Sequence, residues 1–88
     1  FMANPGGPVP DFEEQLTVML AQDGDQTAFQ TLVELYDRRL LYFIRRILGD
    51  RDEAFDVLQG VWLTVHKQLR RLQRPEVFRV WLYRIAHA

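Results

Sequence analysis

The chain contains no cysteine and no long apolar run. Without cysteine, neither a disulfide nor a thiolate metal site can form. The longest unbroken apolar run extends from Leu40 to Ile44, whereas a helix that crosses a bilayer needs about 20 such residues. The N-terminus also lacks a basic segment followed by an apolar one, which is the pattern of a secretory signal. We therefore expect a cytoplasmic protein without membrane insertion.

Residue patterns of catalysis and metal binding are missing as well. The two histidines, His66 and His87, fall on different predicted helices, and neither belongs to an HExxH or similar ligand spacing. There is no glycine-rich phosphate loop and no nucleophile elbow. The acidic residues are scattered over helix caps and polar faces, where solubility explains them. The sequence thus predicts no enzyme, no cofactor and no metal.

Positive charge is absent from the first third of the chain. No Lys or Arg precedes Arg38, whereas seven acidic residues lie between Asp11 and Asp37. From residue 67 to the end the only acid is Glu76, and six residues are basic: Lys67, Arg70, Arg71, Arg74, Arg79 and Arg84. The net charge of −1 therefore conceals an acidic front and a basic tail. Such a tail favours a polyanionic partner, although a basic run is more often an ordinary solvated face.

Turn residues and caps divide the chain into a leader and about four helices. Residues 1–10 include NPGGPVP and are predicted to be a flexible leader, in which Phe1 before Met2 indicates a cloning scar. Asp11 and Glu14 form a capping-box pattern. The predicted helices run from Asp11 to about Gln22, from Asp25 to Gly49, from Asp50 or Asp52 to about Leu72, and from Pro75 onwards. We predict an all-α protein, a small bundle of about four helices over residues 11–88.

Apolar residues at three- and four-residue steps predict the core of this bundle. In the second helix they are Phe29, Leu32, Val33, Tyr36, Leu40, Phe43, Ile44 and Ile47, and a second stripe of Ala28, Leu35 and Tyr42 is expected to widen the buried surface. In the third helix they are Ala54, Leu58, Val61, Trp62, Val65, Leu69 and Leu72. In the last helix they are Phe78, Trp81, Leu82 and Ile85, so both tryptophans are expected in the core.

The far side of the third helix carries a polar stripe that includes one large apolar residue. Helical projection places Asp56, Gln59, Leu63, His66 and Arg70 opposite the apolar face, with Lys67 close by. Leu63 could supply buried area to a partner helix, while Asp56 and Gln59 could supply directional bonds. A single exposed leucine is also ordinary in a monomer, so the pattern alone leaves both interpretations open.

The outer face of the last helix is predicted to carry a second stripe, in which arginines alternate with an aromatic ring. Arg79, Tyr83 and His87 recur at four-residue steps, with Val80 and Arg84 beside them. Arginines neutralise phosphate, and a ring offers an unpaired base a stacking platform. The preceding basic residues, Lys67, Arg70, Arg71 and Arg74, would extend this surface. The pattern fits equally well a solvated basic helix whose Tyr83 packs at the edge of the core.

Several elements of the sequence follow one another in a specific order. They are AF near a helix start, an LGD turn, D-x-x-Q in the next helix and finally F-x-x-WLYRIAH. Together they resemble region two of bacterial sigma factors, within the extracytoplasmic-function (ECF) group of the sigma-70 family. The resemblance covers about Asp11 to the end of the chain and implies a bundle of the sigma region-two type.

The resemblance implies two partners. In the family, the D-x-x-Q helix docks on the clamp coiled coil of the RNA polymerase β′ subunit, and Asp56 and Gln59 match that motif, with Leu63 and His66 on the same face. The last two helices of the family and their connecting turn engage and help to melt the non-template strand of the promoter minus-ten element. Here that role would fall to the turn at 73–75 and to Arg79, Tyr83, Arg84 and His87. An anti-sigma factor is a further partner that the resemblance allows.

The sequence departs from the family at two positions and ends early. Gly60 stands where the family commonly has glutamate, and the adjacent tryptophan pair that primary sigma factors use for melting is absent, as in the ECF group. The chain stops at Ala88, so we expect a domain truncated before the C-terminal promoter-reading domain. The alternative interpretation is a generic helical protein-interaction module without DNA specificity.

Overall fold

Four α-helices make up most of the computed structural model, which describes residues 12–88. They are α1 (Phe12–Gln22), α2 (Gln26–Leu48), α3 (Arg51–Gln68) and α4 (Phe78–His87), and single 3₁₀ turns at Leu69–Arg71 and Pro75–Val77 lie in the linker between α3 and α4. No strand occurs within residues 12–88. The prediction of an all-α bundle of four helices is therefore confirmed. The predicted leader and the Asp11 cap fall outside the described residues.

Aspartate side chains begin α2 and α3, and a glycine ends α2. The Asp25 carboxylate accepts the N–H of Ala28 at 3.0 Å, as predicted. Asp50 caps α3 in the same way by accepting the N–H of Glu53 at 3.0 Å, so Asp50, and not Asp52, is the cap. Gly49 takes the left-handed conformation, with φ of 80°, and its N–H donates to the carbonyl of Arg45. Only Gly49 and Asp50 separate the two helices, so α2 and α3 form a tight helical hairpin.

The third helix ends earlier than the sequence pattern predicts. α3 stops at Gln68, and the next three residues form a 3₁₀ turn instead of continuing to Leu72. The side-chain amide of Gln22, at the end of α1, donates to the carbonyls of Leu69 at 3.0 Å and Leu72 at 2.6 Å. Because α1 satisfies these carbonyls, the chain can leave the helix without losing hydrogen bonds. Leu69 and Leu72 nevertheless stay buried, as predicted.

The core is built around α2, whose buried residues repeat every fourth position. This stripe winds around the helix, because four residues exceed one helical turn, and it meets the three other helices. Its members are Ala28, Leu32, Tyr36, Leu40 and Ile44, and against them pack Val18 of α1, Ala54, Leu58, Val61 and Val65 of α3, and Phe78, Leu82 and Ala86 of α4. Trp62 and Trp81 are half-buried at the margin of this core.

The prediction of a second buried stripe on α2 is wrong for two of its three residues. Ala28 is buried, but Leu35 and Tyr42 keep 50% and 64% of their surface exposed, and Ile47, expected in the main stripe, keeps 54%. The other three helices all pack along the winding stripe on one side of α2. Within residues 12–88 no further element covers the opposite side, so apolar side chains there face solvent.

Tyr36 and Glu14 connect α1 and α2 through a hydrogen bond inside this packing. The Tyr36 hydroxyl donates to a carboxylate oxygen of Glu14 at 2.8 Å. Burial, followed by this hydrogen bond and the nearby negative charge, raises the pKa of the Tyr36 hydroxyl above its ordinary value. Glu14 thus makes a tertiary contact in addition to any role at the start of α1.

Candidate docking and nucleic-acid surfaces

The polar stripe of α3 lies on the surface, as the helical projection predicts. Asp56, Gln59, Leu63 and His66, which we call the docking stripe, are all exposed, and Leu63 keeps 64% of its surface accessible. The opposite side of α3 is buried in the core. The buried face fixes this rotation of the helix. The orientation of the stripe is confirmed, while its role stays a prediction.

An apolar groove runs beside the docking stripe and contains two residues that sequence reasoning did not assign to a site. The groove has a volume of about 500 Å³ and is lined by Phe29, Gln59, Trp62, Leu63 and His66; we call it the aromatic groove. The Phe29 ring meets Trp62 edge-on at 6.1 Å and His66 edge-on at 5.0 Å between centroids. Because Phe29 comes from α2, the periodicity of α3 alone gave no signal for this groove.

The predicted DNA-binding residues do not form one surface but three groups. The first group, Lys67 and Arg70, lies beside the acidic turn between α1 and α2. Asp25 lines the same cavity as both cations, and Asp23 lines a second one with Arg70. The Arg70 guanidinium also donates to the carbonyl of Gln22 at 3.3 Å. The acidic turn therefore offsets part of the positive charge that the sequence places here.

The second group surrounds a groove between the linker and α4, which we call the linker groove. Its volume is about 450 Å³, and its lining consists of Arg71, Leu72, Gln73, Arg74, Val77, Val80, Trp81 and Arg84. Three arginines thus border a concave surface that also contains an indole ring. Trp81, expected only in the core, therefore takes part in the surface as well. A flat ring among cations is the arrangement that suits an unpaired base and its phosphate.

Arg74 of this group forms an ion pair with Glu76. Its guanidinium nitrogen lies 2.9 Å from a carboxylate oxygen of Glu76. Both residues are well exposed, so the pair adds little to stability. Hydrogen bonding from its own backbone N–H, and then from Arg74, lowers the pKa of the Glu76 carboxyl. Glu76 is therefore a negative charge placed at the edge of the linker groove.

The third group, Arg79, Tyr83 and His87, lies along the seam between α4 and α2. The Tyr83 ring meets Phe43 of α2 edge-on at 5.1 Å, and the His87 ring lies 6.4 Å from Phe43. The Arg79 guanidinium lies 6.0 Å from the centre of the Tyr83 ring. Tyr83 thus packs at the edge of the core, as the alternative interpretation held. Of the three residues, His87 is exposed, whereas Arg79 and Tyr83 are half-buried. The stripe is not the outer face that the pattern predicts.

The structure is that of a helical module with an exposed docking stripe on one helix and a basic groove near its C-terminus. Among the described residues there is no group of three or more His, Asp or Glu side chains that could hold a metal ion. None of the helices in residues 12–88 is long and apolar enough to cross a membrane. The described residues thus present two candidate binding surfaces, the docking stripe and the linker groove.

Comparison with known proteins identifies the family. The profile described as Sigma-70 region 2 matches residues 32–88. The RNA polymerase sigma-H factor of Pseudomonas aeruginosa is 36% identical over 74 residues, which are 84% of this chain and 38% of the relative. The ECF RNA polymerase sigma-E factor of Escherichia coli K12 is 33% identical over 83% of this chain and 38% of the relative. The chain therefore belongs to the sigma-70 family, and within it to region two of the ECF group.

The curated relatives are much longer than this chain. The ECF RNA polymerase sigma factor SigW of Bacillus subtilis is 33% identical over 72% of this chain but only 34% of its own length. The chain thus spans little more than a third of the curated relatives that it matches. No solved structure gives a significant match.

Proposed function

We propose that this domain acts in transcription initiation by binding core RNA polymerase and a melted strand of promoter DNA. The observation that supports this most directly is the exposure of Leu63 at 64% between polar side chains, on a helix of a sigma region-two domain. Such a stripe suits a partner helix better than it suits water. The proposed place of action is the cytosol, where both partners are found.

The docking stripe is the proposed contact with the clamp coiled coil of the β′ subunit. Asp56 and Gln59 are exposed, so their carboxylate and amide are free to bond with basic and polar groups of a partner. Leu63 supplies the apolar area between the flanking polar contacts. His66 lies at the end of the stripe that is nearest the linker. The stripe needs no rearrangement of the core to bind, since the residues that fix α3 are on its opposite side.

The linker groove is the proposed site for an unpaired base of the non-template strand. Arg71, Arg74 and Arg84 can bond with phosphates, while the indole of Trp81 offers a surface on which a base can stack. The apolar lining from Val77 and Val80 favours a base over water. Arg79, Tyr83 and His87 would contact the strand further along α4, although their packing against α2 leaves less of their surface for DNA.

Two parallel titrations test the proposed contacts with polymerase and with DNA. The domain is titrated with core RNA polymerase or the isolated β′ coiled coil, using Asp56→Ala and Gln59→Ala as variants. Each change should weaken binding about tenfold or more, as expected for loss of a polar contact at the centre of an interface. A labelled single-stranded minus-ten oligonucleotide is titrated in parallel, with Arg84→Ala as the variant and the distant, exposed Arg51→Ala as its control. Absence of both interactions in the folded domain would contradict the proposal.

A generic helical interaction module is the second candidate. It is favoured by the acidic residues near the basic groups, since Asp25 faces Lys67 and Arg70, and Glu76 pairs with Arg74. Such a module would bind a helix through the docking stripe but would show no salt-dependent binding of single-stranded DNA. The oligonucleotide titration at two salt concentrations therefore separates the two candidates.

A further inference from the structure

The aromatic groove lies where the docking stripe of α3 meets the beginning of α2. Gln59, Leu63 and His66 belong to both the groove and the stripe, while Phe29 and Trp62 complete the groove from the side of α2 and from the core margin of α3. All of its lining residues except Gln59 have an aromatic or aliphatic side chain, with the His66 imidazole counted as aromatic. The D-x-x-Q motif gives no role to Phe29 or Trp62.

The walls of the groove are held in place before any partner arrives. The Trp62 indole N–H donates to a carboxylate oxygen of Asp37 at 3.0 Å, which fixes the ring and satisfies its only polar atom. Phe29 contacts both Trp62 and His66 edge-on, so neither neighbour can rotate into the cavity without losing a ring contact. A preformed apolar cavity loses little conformational entropy on binding.

We propose that the aromatic groove receives an apolar side chain carried by the same polymerase helix that the docking stripe binds. This inference rests on the proposed function and adds Phe29 and Trp62 to the interface. Continuity supports it, because Gln59, Leu63 and His66 belong to both surfaces, so a helix bound to the docking stripe also contacts the rim of the groove. Buried aromatic residues at the centre of an interface, surrounded by polar contacts, are the usual source of binding energy.

The chemistry of the groove favours this occupant over a nucleobase or a phosphate. No arginine or lysine lines it, in contrast to the linker groove, where three arginines are present. Asp56, next along the stripe, would repel a phosphate backbone. A leucine, isoleucine or methionine on a helix would bury its side chain against the apolar walls of this open groove of about 500 Å³.

The test compares two equivalent substitutions on α2 in the 88-residue chain. Phe29→Leu alters the groove, whereas Phe43→Leu alters a half-buried phenylalanine that packs against α4, away from the groove. We expect Phe29→Leu to weaken binding of the β′ coiled coil about tenfold or more, and Phe43→Leu to leave it unchanged. Circular dichroism should show that both variants are folded.

Tryptophan emission gives a second readout, because the chain has two tryptophans. Binding of the coiled coil should shift the tryptophan emission of the unmutated chain to shorter wavelength. This shift should be lost in Trp62→Phe, in which only Trp81 emits. If the coiled coil binds through Asp56 and Gln59 but Phe29→Leu has no effect and the emission does not move, this inference is wrong and the proposed function stands. If the coiled coil does not bind at all, both fail. A shift that depends on the concentration of the domain alone would assign the groove to a second copy of the chain.

Discussion

Replacing Gln22 by alanine tests how α1 holds the linker that borders the proposed DNA site. The Gln22 amide donates to the carbonyls of Leu69 and Leu72, and its own carbonyl accepts from Arg70. The alanine variant keeps the backbone acceptor but removes both side-chain hydrogen bonds. The 3₁₀ turn and the start of the linker then lose their connection to α1.

The size of the effect follows from these two hydrogen bonds. Each contributes about 0.5–1.5 kcal/mol. The Leu69 carbonyl keeps the N–H of Leu72, whereas the Leu72 carbonyl loses its Gln22 donor, which costs more where that carbonyl is buried. Gln22 is half-buried, so water can reach part of the exposed carbonyl surface, and we expect a loss of about 1–2 kcal/mol in the free energy of unfolding. In a domain of this size that lowers Tm by at least about 4 °C.

Denaturant and thermal unfolding measure this loss, with Gln30→Ala as the matched control. Gln30 is an exposed glutamine on α2 whose side chain makes only a long contact with Glu34, 3.5 Å away. Hydrogen exchange should also become faster at the amide of Leu72, which donates to Leu69 within the 3₁₀ turn. Gln22→Glu should be at least as destabilising at neutral pH, because a carboxylate cannot donate. Equal stabilities of Gln22→Ala and Gln30→Ala would refute the reasoning.

Three further outcomes can be measured in the same chain. A side chain at Gly60 would meet nothing within 4 Å, so Gly60→Ala should raise the free energy of unfolding by about 1 kcal/mol. Gly60→Glu should also tighten binding of the coiled coil. An alanine variant less stable than the unmutated chain would contradict this reasoning. Burial raises the pKa of the Tyr36 hydroxyl above its ordinary 10.0, so the contribution of Tyr36 to stability should be complete below that pH and should be lost as the pH rises past it. Alkaline unfolding curves of Tyr36→Phe should therefore be flatter than those of the exposed control Tyr42→Phe. Glu76→Gln releases Arg74 from its ion pair and should tighten oligonucleotide binding. The slope of the logarithm of the binding constant against the logarithm of the salt concentration should become steeper by about 0.7. An unchanged slope would exclude Arg74 from the contact.

The helices and the docking stripe could be predicted because the signals for them are local. Asp25, Gly49 and Asp50 act on residues within one turn of themselves. The exposure of Leu63 follows from the buried face of the same helix. Such features need no knowledge of the rest of the fold.

Features that depend on two helices could not be predicted in this way. Leu35 and Tyr42 are as apolar as their buried neighbours, and only the number and position of the other helices leave them exposed. The early end of α3 depends on Gln22, which is 47 residues away from Leu69 in the sequence. The aromatic groove likewise needs Phe29 and Trp62 side by side.

The short turn at Gly49 and Asp50 has a consequence for the order of folding. Because two residues join α2 and α3, their contacts beside the turn are close in sequence, and we expect the hairpin to form from these contacts early. Phe29, Trp62 and the docking stripe all lie on this hairpin, whereas the linker groove requires α4. We expect pulsed hydrogen exchange during refolding to show protection of α2 and α3 before α4, and simultaneous protection would argue against it. During synthesis, the surface proposed for polymerase would then take shape before the one proposed for DNA.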